Sequence, residues 1–406
     1  MALFGLQTTG NRISISGHLG TRDLRRILAA MHNLVHGLGY QDIELDFRPC
    51  TRAYGGPMLG LAAQAGRYLV AGVDVDLTLP SDDTLKRLFI NTNWAHLIDP
   101  RRYDPGNFRG RTQIPTVKYR AGQDQYDAVT MVVEKILSAL TDFDRSHLKA
   151  IEWSLNEITD NVINHAQSAI GGLLHVTNFS GERRIVEYAV CDAGIGIPNS
   201  LRSGHPEIQS DHEALDKAIR EGVTRDRNAG QGNGLYGSWR ISQLSGGSFE
   251  IHAGHASLKS WPGSLHIRPE SIPLNGSLVV VAINYENPLS LEEALKFKGK
   301  SHDPLDHVEM SYEENDDGTV LFPLAKQAEG FGSRAAGMPV RQKLRNLSRI
   351  CDGKRIRIDF SEVPIISSSF ADEVFGKLFA DLGPLEFMKA FEFYSRFMSG
   401  HSLLAP

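Results

Sequence analysis

The sequence is poor in cysteine and has no long apolar run, and both absences narrow its class. Its 406 residues include three cysteines, and Cys50, Cys191 and Cys351 lie too far apart for a metal-ligand motif or a disulfide framework. No window approaches the ~20 apolar residues of a membrane span. The first residues, MALFGLQTTGNR, lack the charged and apolar regions of a signal peptide. We therefore expect a cytoplasmic protein that contacts no membrane.

The chain also lacks a surplus of positive charge and a P-loop. Its formal net charge is -5, so composition gives no electrostatic reason to expect nucleic-acid binding. The pattern GxxxxGK[ST] occurs nowhere, which excludes a P-loop nucleotide site. Hydrophobic residues make up 41% and charged residues 22%, as in globular proteins, and the length favours two or three domains.

Strand and helix patterns alternate at both ends of the chain, which predicts an α/β protein. Residues 1–105 form one such domain, followed by a Pro-, Gly- and Arg-rich linker at 106–120. Residues 289–318 are dense in mixed charge and predict a solvated linker, and residues 319–406 form a second α/β domain. The strands DIELDF and RIRIDF, one in each domain, both precede a helix. This likeness indicates an internal repeat, although any two α/β segments share some of it.

The central segment contains a helix, SLNEITDNVINHAQ, with polar side chains beside its apolar stripe. Leu155, Ile158 and Val162 recur at helical spacing, while Glu157 and Asn161 follow the same interval on a neighbouring face. Such a face is either solvated or directed into a site. The helix alone does not distinguish the two.

The motif DAGIGIP follows at the end of an apolar strand. Asp192 can accept a hydrogen bond from the exocyclic amine of a flat ligand, while Gly194 and Gly196 keep the backbone close to it. A plain strand-end turn has the same pattern.

A second glycine motif, GQGNG, precedes a helix. Gly230, Gly232 and Gly234 let backbone amides approach an anion at the helix N-terminus. No strand runs directly into this loop and the GxGxxG spacing is absent, which disfavours a Rossmann site.

The order and spacing of these three elements, closed by the strand GSLVVVAI, resemble the GHKL ATPase family of topoisomerase, chaperone, histidine-kinase and mismatch-repair domains. The resemblance covers about residues 120–286, in a central domain at 121–288. It implies a GHKL (Bergerat) α/β sandwich of helices on a mixed sheet, with ATP and Mg²⁺ bound under a lid at 222–233. The implied ATP-binding residues are Asn161, His165, Asp192, Gly194, Gly196, Gly230, Gly232, Gly234 and Ser277. Asn161 would coordinate the metal, and Asp192 and Ser277 would hold the adenine.

Glu157 matches the general base of family members that hydrolyse ATP or phosphorylate serine. Residues four apart share a helix face, so Glu157 and Asn161 can reach the same phosphate. The alternative is that Glu157 only orients its neighbours. Histidine-kinase activity is disfavoured because an α/β segment, not a helical hairpin, precedes the ATP domain, and we expect His147 on the surface.

Within the family, Glu157, Asn161 and His165 are most similar to the motif of bacterial anti-sigma factor serine kinases. The flanking domains resemble STAS domains, the fold of the antagonists that these kinases phosphorylate. The resemblance implies a protein partner of STAS or sigma-regulator type, and we expect a homodimer.

In such antagonists the acceptor serine lies between a buried strand and the next helix. The N-terminal domain has Tyr54, Gly55 and Gly56 there and could not accept a phosphate. The C-terminal domain has three candidate phosphoacceptors, Ser367, Ser368 and Ser369. Serines at a helix start are also ordinary N-caps, which is the simpler interpretation.

Two functions follow from the sequence. In the first, the protein hydrolyses ATP or transfers its γ-phosphate to a protein serine, with Glu157 as general base. In the second, it is a nucleotide-gated interaction switch in stress or defence signalling, with little or no turnover.

Overall fold

The computed structural model describes residues 3–106, 114–180, 184–225, 232–304, 306–313, 318–328, 330–351 and 353–395. Its contacts divide the chain into two units. The first comprises the described residues up to 106, residues 114–129 and Trp153–Asp303, and the second Thr130–Glu152 and the described residues from 304 onward. Helices and several sheets occur together, which confirms the α/β class. None of the helices in the described ranges is long and apolar enough to cross a membrane.

The N-terminal region of the first unit is built on strands that bury alternate side chains. Its strands are β1 (Gly5–Thr9), β2 (Arg12–Leu19), β3 (Asp42–Asp46), β4 (Cys50–Ala53) and β5 (Asp74–Thr78), and its helices are α1 (Thr21–His32), α2 (Gly55–Val70), α3 (Asp83–Asn91) and α4 (Trp94–Ile98). Ile13, Ile15 and Leu19 of β2 are buried at the two-residue period of a strand. The sheet order is β1-β2-β3-β5, with β2, β3 and β5 parallel.

The central region of the first unit contains a second sheet. Its strands are β6 (Val117–Tyr119), β7 (Gly172–Ser180), β8 (Arg184–Asp192), β9 (Ser248–Trp261) and β10 (Ser264–Asn284), and its helices are α7 (Gly196–Gly204), α8 (Asp211–Ala218) and α9 (Gly234–Leu244). The start of α5 (Gly122–Ala139) and the end of α6 (Arg145–Asn161) also belong to this unit, and the rest of both helices belongs to the second. The order is β6-β7-β8-β10-β9, and all four pairings are antiparallel rather than mixed as the family resemblance implies. Short connections explain two of the four pairings, because β7–β8 and β9–β10 are hairpins.

The two faces of this sheet pack against different partners. On one face, Tyr188 donates a hydrogen bond to Ser154 of α6. On the other face, Cys191, Leu278 and Val280 join the same hydrophobic core as the N-terminal region. Helix α2 covers that face, and its small residues allow a close approach: a Cβ on Gly56 would lie 3.3 Å from a methyl group of Val280. The N-terminal region and the central sheet therefore share one core.

A short segment completes the first unit. It contains α10 (Leu291–Ala294) and a hairpin of β11 (Lys296–Phe297) and β12 (Lys300–Ser301). The dense charge of residues 289–318 predicts a solvated linker, but Leu291, Ala294 and Leu295 are buried. These three apolar residues are spaced as in a helix, but they are too few among the surrounding charged residues for the sequence pattern to predict a buried helix. Strand β6 likewise lies in a stretch that the sequence predicts to be a linker.

The second unit carries a three-stranded parallel sheet. Its elements outside α5 and α6 are α11 (His307–Tyr312), β13 (Val320–Pro323), α12 (Leu324–Gln327), α13 (Arg334–Ile350), β14 (Ile356–Asp359), α14 (Ser368–Ala371), α15 (Lys377–Leu382), α16 (Pro384–Ala390) and β15 (Phe391–Tyr394). The order is β13-β14-β15. Strand β14, which contains most of RIRIDF, lies in the middle of this sheet. Strand β3, which contains most of DIELDF, likewise lies between β2 and β5, so both strands have a neighbour on each side.

Candidate functional site

A cavity of about 1070 Å³ lies in the central region of the first unit. Helix α6, the π-helical turn Val162–Ala166, strands β8 and β10, the start of α9 and the β11–β12 hairpin contribute to its lining. The predicted site residues that line it are Glu157, Asn161, His165, Asp192, Gly196, Gly232, Gly234 and Ser277. Gly194 is hydrogen-bonded to Asp192 beside it, and Gly230 lies outside the described residues. Residues far apart in the sequence thus meet around one cavity.

Asp192 lies at the end of β8 and is 3% exposed. Its Oδ1 accepts a hydrogen bond from the Gly194 amide at 2.8 Å, and its Oδ2 accepts one from the Ser277 amide at 3.2 Å. Burial raises the pKa of Asp192 to about 6, and these two backbone hydrogen bonds limit the rise. Each carboxylate oxygen keeps a lone pair for a further donor. The end of the cavity at Asp192 can therefore accept from an amine.

Close backbone approaches around Asp192 require glycine. A Cβ on Gly194 would overlap the carbonyl of Ala166, which accepts a hydrogen bond from the Ile195 amide. Gly196 has a φ of 77°, in the left-handed region, and a Cβ there would lie 2.8 Å from the Gly276 carbonyl oxygen. The backbone on both sides of the carboxylate is thus packed too closely for side chains, which leaves a narrow slot.

Glu157 and Asn161 lie in the last turns of α6 and line the same cavity. Helix α6 passes directly into the π-helical turn, which ends at Gln167 with a left-handed φ of 52°. The turn brings His165 into the lining and presents the Ala166 carbonyl to Ile195. π-Helical turns of this kind often occur at functional sites.

Glu157 is half-buried, and its surroundings favour the protonated form. Burial raises its pKa to about 7, and the charge of Asp160 contributes further. A carboxylate with this pKa holds its proton loosely near neutral pH, which suits a general base. Glu187 has a pKa of about 7 for similar reasons, but it alternates with Tyr188 and lies on the other face of the sheet.

The glycine loop ends against Glu157. Gly234 is the first residue of α9, and a Cβ there would overlap the Glu157 carboxylate. Gly232 has a φ of 70°, and its Cβ would lie 2.6–2.8 Å from the Val223 backbone. The N-terminus of α9, where the first backbone amides of a helix have no acceptor within the helix itself, therefore lies beside Glu157. Of the predicted lid, residues 222–225 and 232–233 are described.

The β11–β12 hairpin lines the cavity and was missed in the sequence. Lys298 and Gly299 form its two-residue turn with φ values of 48° and 79°. Phe297 stacks on Trp153, one helical turn before Glu157, with ring centroids 6.2 Å apart. The Lys298 amide donates to Glu221 next to the glycine loop. The hairpin thus brings Lys298 and Lys300 to the Glu157 side of the cavity.

The described residues contain no group of three or more His, Cys, Asp or Glu side chains that could hold a metal ion. Asn161 lines the cavity and offers an amide oxygen. Mg²⁺ is commonly held by one or two protein oxygens together with phosphates and water. The donor set fits an ion that arrives with a phosphate ligand and does not fit a site made of protein side chains alone.

The candidate phosphoacceptors belong to the second unit. Ser367 is the N-cap of α14, and its hydroxyl accepts a hydrogen bond from the Phe370 amide at 3.1 Å. Its Oγ is also 3.0 Å from that of Ser369. Tyr54 is the N-cap residue at the corresponding helix of the N-terminal region. The capping role of Ser367 is therefore observed.

The expectation for His147 was wrong. This residue is 1% exposed, and its Nδ1 accepts a hydrogen bond from the Asp144 amide at 3.3 Å. It begins the buried stripe of α6 together with Leu148, which is why it is not at the surface.

Comparison with known families matches the C-terminal part of the chain. The model of a STAS-like domain of unknown function (DUF4325) matches residues 336–394. The matched segment runs from α13 to β15, so the C-terminal region is a STAS-like domain. No curated protein matches the chain.

Proposed function

We propose that the chain is a GHKL-type protein that binds MgATP in the cavity and either hydrolyses ATP or transfers its γ-phosphate to a protein serine. One observation carries the proposal. Glu157 and Asn161 of α6, Asp192 of β8, Gly232 before α9 and Ser277 of β10 line a single cavity, which thus contains both a buried acceptor and the start of a helix. An adenine and a chain of phosphates need these two environments in one site.

Adenine occupies the narrow slot at Asp192. The carboxylate accepts a hydrogen bond from its exocyclic amine, while the close backbone at Gly194 and Gly196 holds the flat ring. A guanine presents a carbonyl oxygen at the equivalent position and would leave the buried carboxylate without a donor. The site therefore selects ATP over GTP.

The phosphates extend toward the start of α9. The N-terminal amides of that helix favour an anion, and Lys298 and Lys300 supply positive charge against Glu157, Asp160 and Glu221 in the same lining. Asn161 would hold Mg²⁺ together with the phosphate oxygens, and the metal would supply charge neutralisation on the phosphates.

Glu157 acts on the attacking oxygen. It accepts the proton of a water or a serine hydroxyl as that oxygen bonds to the γ-phosphorus and the bond to the ADP oxygen breaks. Its pKa of about 7 allows it to be ionised in the resting site and to take up a proton during the reaction. With serine as the nucleophile, the acceptor belongs to a STAS-type partner or to the Ser367–Ser369 segment of the chain itself.

The test is incubation of the full-length chain with γ-labelled ATP and Mg²⁺, followed by separate assays of free and protein-bound phosphate. Free phosphate alone identifies an ATPase. If the chain itself becomes labelled, and the label is lost when Ser367, Ser368 and Ser369 are replaced by alanine, the chain is a kinase acting on its own STAS-like domain. If an added STAS protein becomes labelled, the chain is a kinase acting on a partner. Binding without either product supports the nucleotide-gated switch. A wild-type chain that does not bind ATP disproves the whole proposal.

Glu157→Gln and Glu187→Gln form a matched pair for this assay. Both remove a carboxylate whose pKa burial raises to about 7, but only Glu157 lines the cavity. We expect Glu157→Gln to bind ATP without turnover and Glu187→Gln to retain both. Equal turnover in the two variants would remove the general base from the mechanism and favour the switch.

A further inference from the structure

Arg25 of helix α1 is a buried arginine that is not among the residues lining the cavity. It is 5% exposed, although it belongs to the N-terminal region and precedes an exposed Arg26. Its Nη1 donates to the carbonyls of Gly254 (2.8 Å) and Ile272, and its Nη2 donates to the carbonyl of Ala256 at 2.8 Å. A buried guanidinium directed at three carbonyls of one hairpin indicates that the hairpin needs those donors.

The three carbonyls surround a break in the β9–β10 ladder. The pairing register shifts between Pro269 and Leu274 and again between Leu274 and Ser277. Bulges of this kind leave carbonyls without their ladder partner, and a buried carbonyl without a donor is costly. Arg25 supplies donors on both strands. It therefore holds the irregular part of the hairpin in one conformation.

The end of this break forms part of the candidate site. Ser277 is the first residue after the second shift, and its amide donates to Asp192 Oδ2 while its hydroxyl accepts from the Ile197 amide at 3.0 Å. Gly276 precedes it with a φ of 84°, and a Cβ there would overlap the Asp192 carbonyl. The position of the bulge thus decides whether Asp192 receives its second backbone hydrogen bond.

A second contact holds the same part of the hairpin. The His255 amide donates to Asp211 Oδ2 at 2.6 Å, and Asp211 also pairs with Arg202. This contact lies at the start of α8, whereas Arg25 comes from α1. The segment between Gly254 and Ala256 is therefore held by both neighbours.

We propose that Arg25 is a positioning residue for adenine recognition, through which the N-terminal region sets the β9–β10 bulge and orients Ser277 toward Asp192. The proposal rests on the proposed function, since it assigns the Asp192 end of the cavity to the base. It makes the N-terminal region a structural part of the nucleotide site. A perturbation of α1 then changes nucleotide selectivity without contacting the nucleotide.

The test compares Arg25→Met with Gly55→Ala in the full-length chain. A Cβ on Gly55 would lie 2.8 Å from His175 Nε2, so this control disturbs the same shared core at β7, away from the bulge. We expect both variants to lower the melting temperature. Only Arg25→Met should weaken ATP binding, by about 10-fold, with GTP binding little changed, because one hydrogen bond to a charged group is at stake. Arg25→Lys should restore part of the ATP preference.

Amide hydrogen exchange in the nucleotide-free chain tests the geometry separately. Arg25→Met should raise exchange at residues 272–277, and Gly55→Ala should leave it unchanged. Unaltered exchange and unaltered ATP preference in Arg25→Met would overturn the inference while leaving ATP binding intact. The inference would also be overturned if both variants lost ATP affinity in the same proportion to their loss of melting temperature. If the wild-type chain binds no ATP, the proposed function fails and this inference fails with it.

Discussion

Gly234 and Glu157 occupy adjoining space, so that any side chain at Gly234 would overlap the Oε2 atom of the glutamate. Gly234 begins α9, and Glu157 lies near the end of α6. The helix N-terminus that favours an anion and the carboxylate proposed as the base are therefore in direct contact. Glycine at this position sets the location of the carboxylate.

Gly234→Ala should damage turnover more than binding. The added methyl group displaces a side chain that can rotate, so the backbone of α9 keeps its position while Glu157 does not. We expect kcat to fall about 10-fold to 100-fold, part of the factor that a positioned base contributes, with the Kd for ATP nearly constant. Gly232→Ala gives the contrast, because its left-handed φ and its contact with the Val223 backbone leave no room to adjust. That variant should lose ATP affinity, and equal effects in the two variants would contradict the assignment.

The burial of Glu157 also predicts a pH-dependent gain in stability on substitution. Its pKa is raised in the folded state, so its contribution is favourable at low pH and is lost as pH rises from about 4.5 through about 7. Glu157→Gln removes that loss. Relative to wild type, its stability should rise by about 1–3 kcal/mol between mildly acidic and mildly alkaline pH, as measured by thermal unfolding.

Glu187→Gln is the control for this measurement. Its pKa is also raised to about 7, through burial and the charge of Glu250, so the same gain in stability is expected. The two variants should differ in ATP turnover alone. A stability difference from wild type that stays constant with pH in both variants would show that neither carboxylate has a raised pKa.

Asp192→Asn should weaken ATP binding and reduce the preference for ATP over GTP. The asparagine side chain has one oxygen that can accept a hydrogen bond and one NH₂ group that can only donate. It can therefore accept from the backbone amide of Gly194 or of Ser277 but not from both, and one of these hydrogen bonds is lost. We expect a Kd increase of about 10-fold to 100-fold for ATP, as for the loss of a hydrogen bond to a charged group. Calorimetry with both nucleotides measures it, and unchanged ATP affinity would rule out the adenine assignment.

The regular elements of the first unit could be predicted because their periodicity is strong. The predicted strand DIELDF corresponds to β3 within a residue at each end. The π-helical turn after Asn161 was not predicted, because apolar spacing continues through it and only the hydrogen-bond pattern changes. The grouping of Glu157 with Asp192 came from the family resemblance, since helix and strand patterns carry no information about which elements meet.

The hairpin and Arg25 could not be predicted for other reasons. Lys-Gly is not among the preferred dipeptides of a two-residue turn, and β11 and β12 are two residues long each. Arg25 and Arg26 are adjacent and identical in type, yet one is buried and the other exposed. The carbonyls that Arg25 satisfies belong to a bulge more than 200 residues away, which no local pattern encodes.

Lys298→Glu with Lys300→Glu should weaken binding in proportion to the charge of the nucleotide. Both side chains line the cavity on the side of Glu157 and the glycine loop. The loss should be larger for ATP than for ADP, and larger for ADP than for AMP, and should shrink at high salt. Lys296→Glu, on the same hairpin but outside the lining, is the control. Equal losses for all three nucleotides would remove the lysines from the phosphate site.

The second unit offers a test of a buried ion pair. Lys343 on α13 is 3% exposed and pairs with Glu134, which also accepts hydrogen bonds from His307 at 2.5 Å and Tyr312 at 2.7 Å. Burial favours protonation of Glu134, but hydrogen bonds from His307 and Lys343 and the charge of Lys343 outweigh it and hold its pKa at about 2. The depressed pKa contributes stability above about pH 4.5 that is lost as pH falls toward about 2.

Glu134→Gln should therefore destabilise the second unit by about 3–5 kcal/mol at neutral pH, because it leaves the Lys343 ammonium buried without a counter-charge. Lys343→Met should cost less, since Glu134 is partly exposed and keeps its hydrogen bonds from His307 and Tyr312. The double variant should recover most of the loss. Amide exchange of α13 reports the opening free energy of this unit even if the whole chain does not unfold in one step. Additive effects of the two substitutions would show that the pair is not coupled.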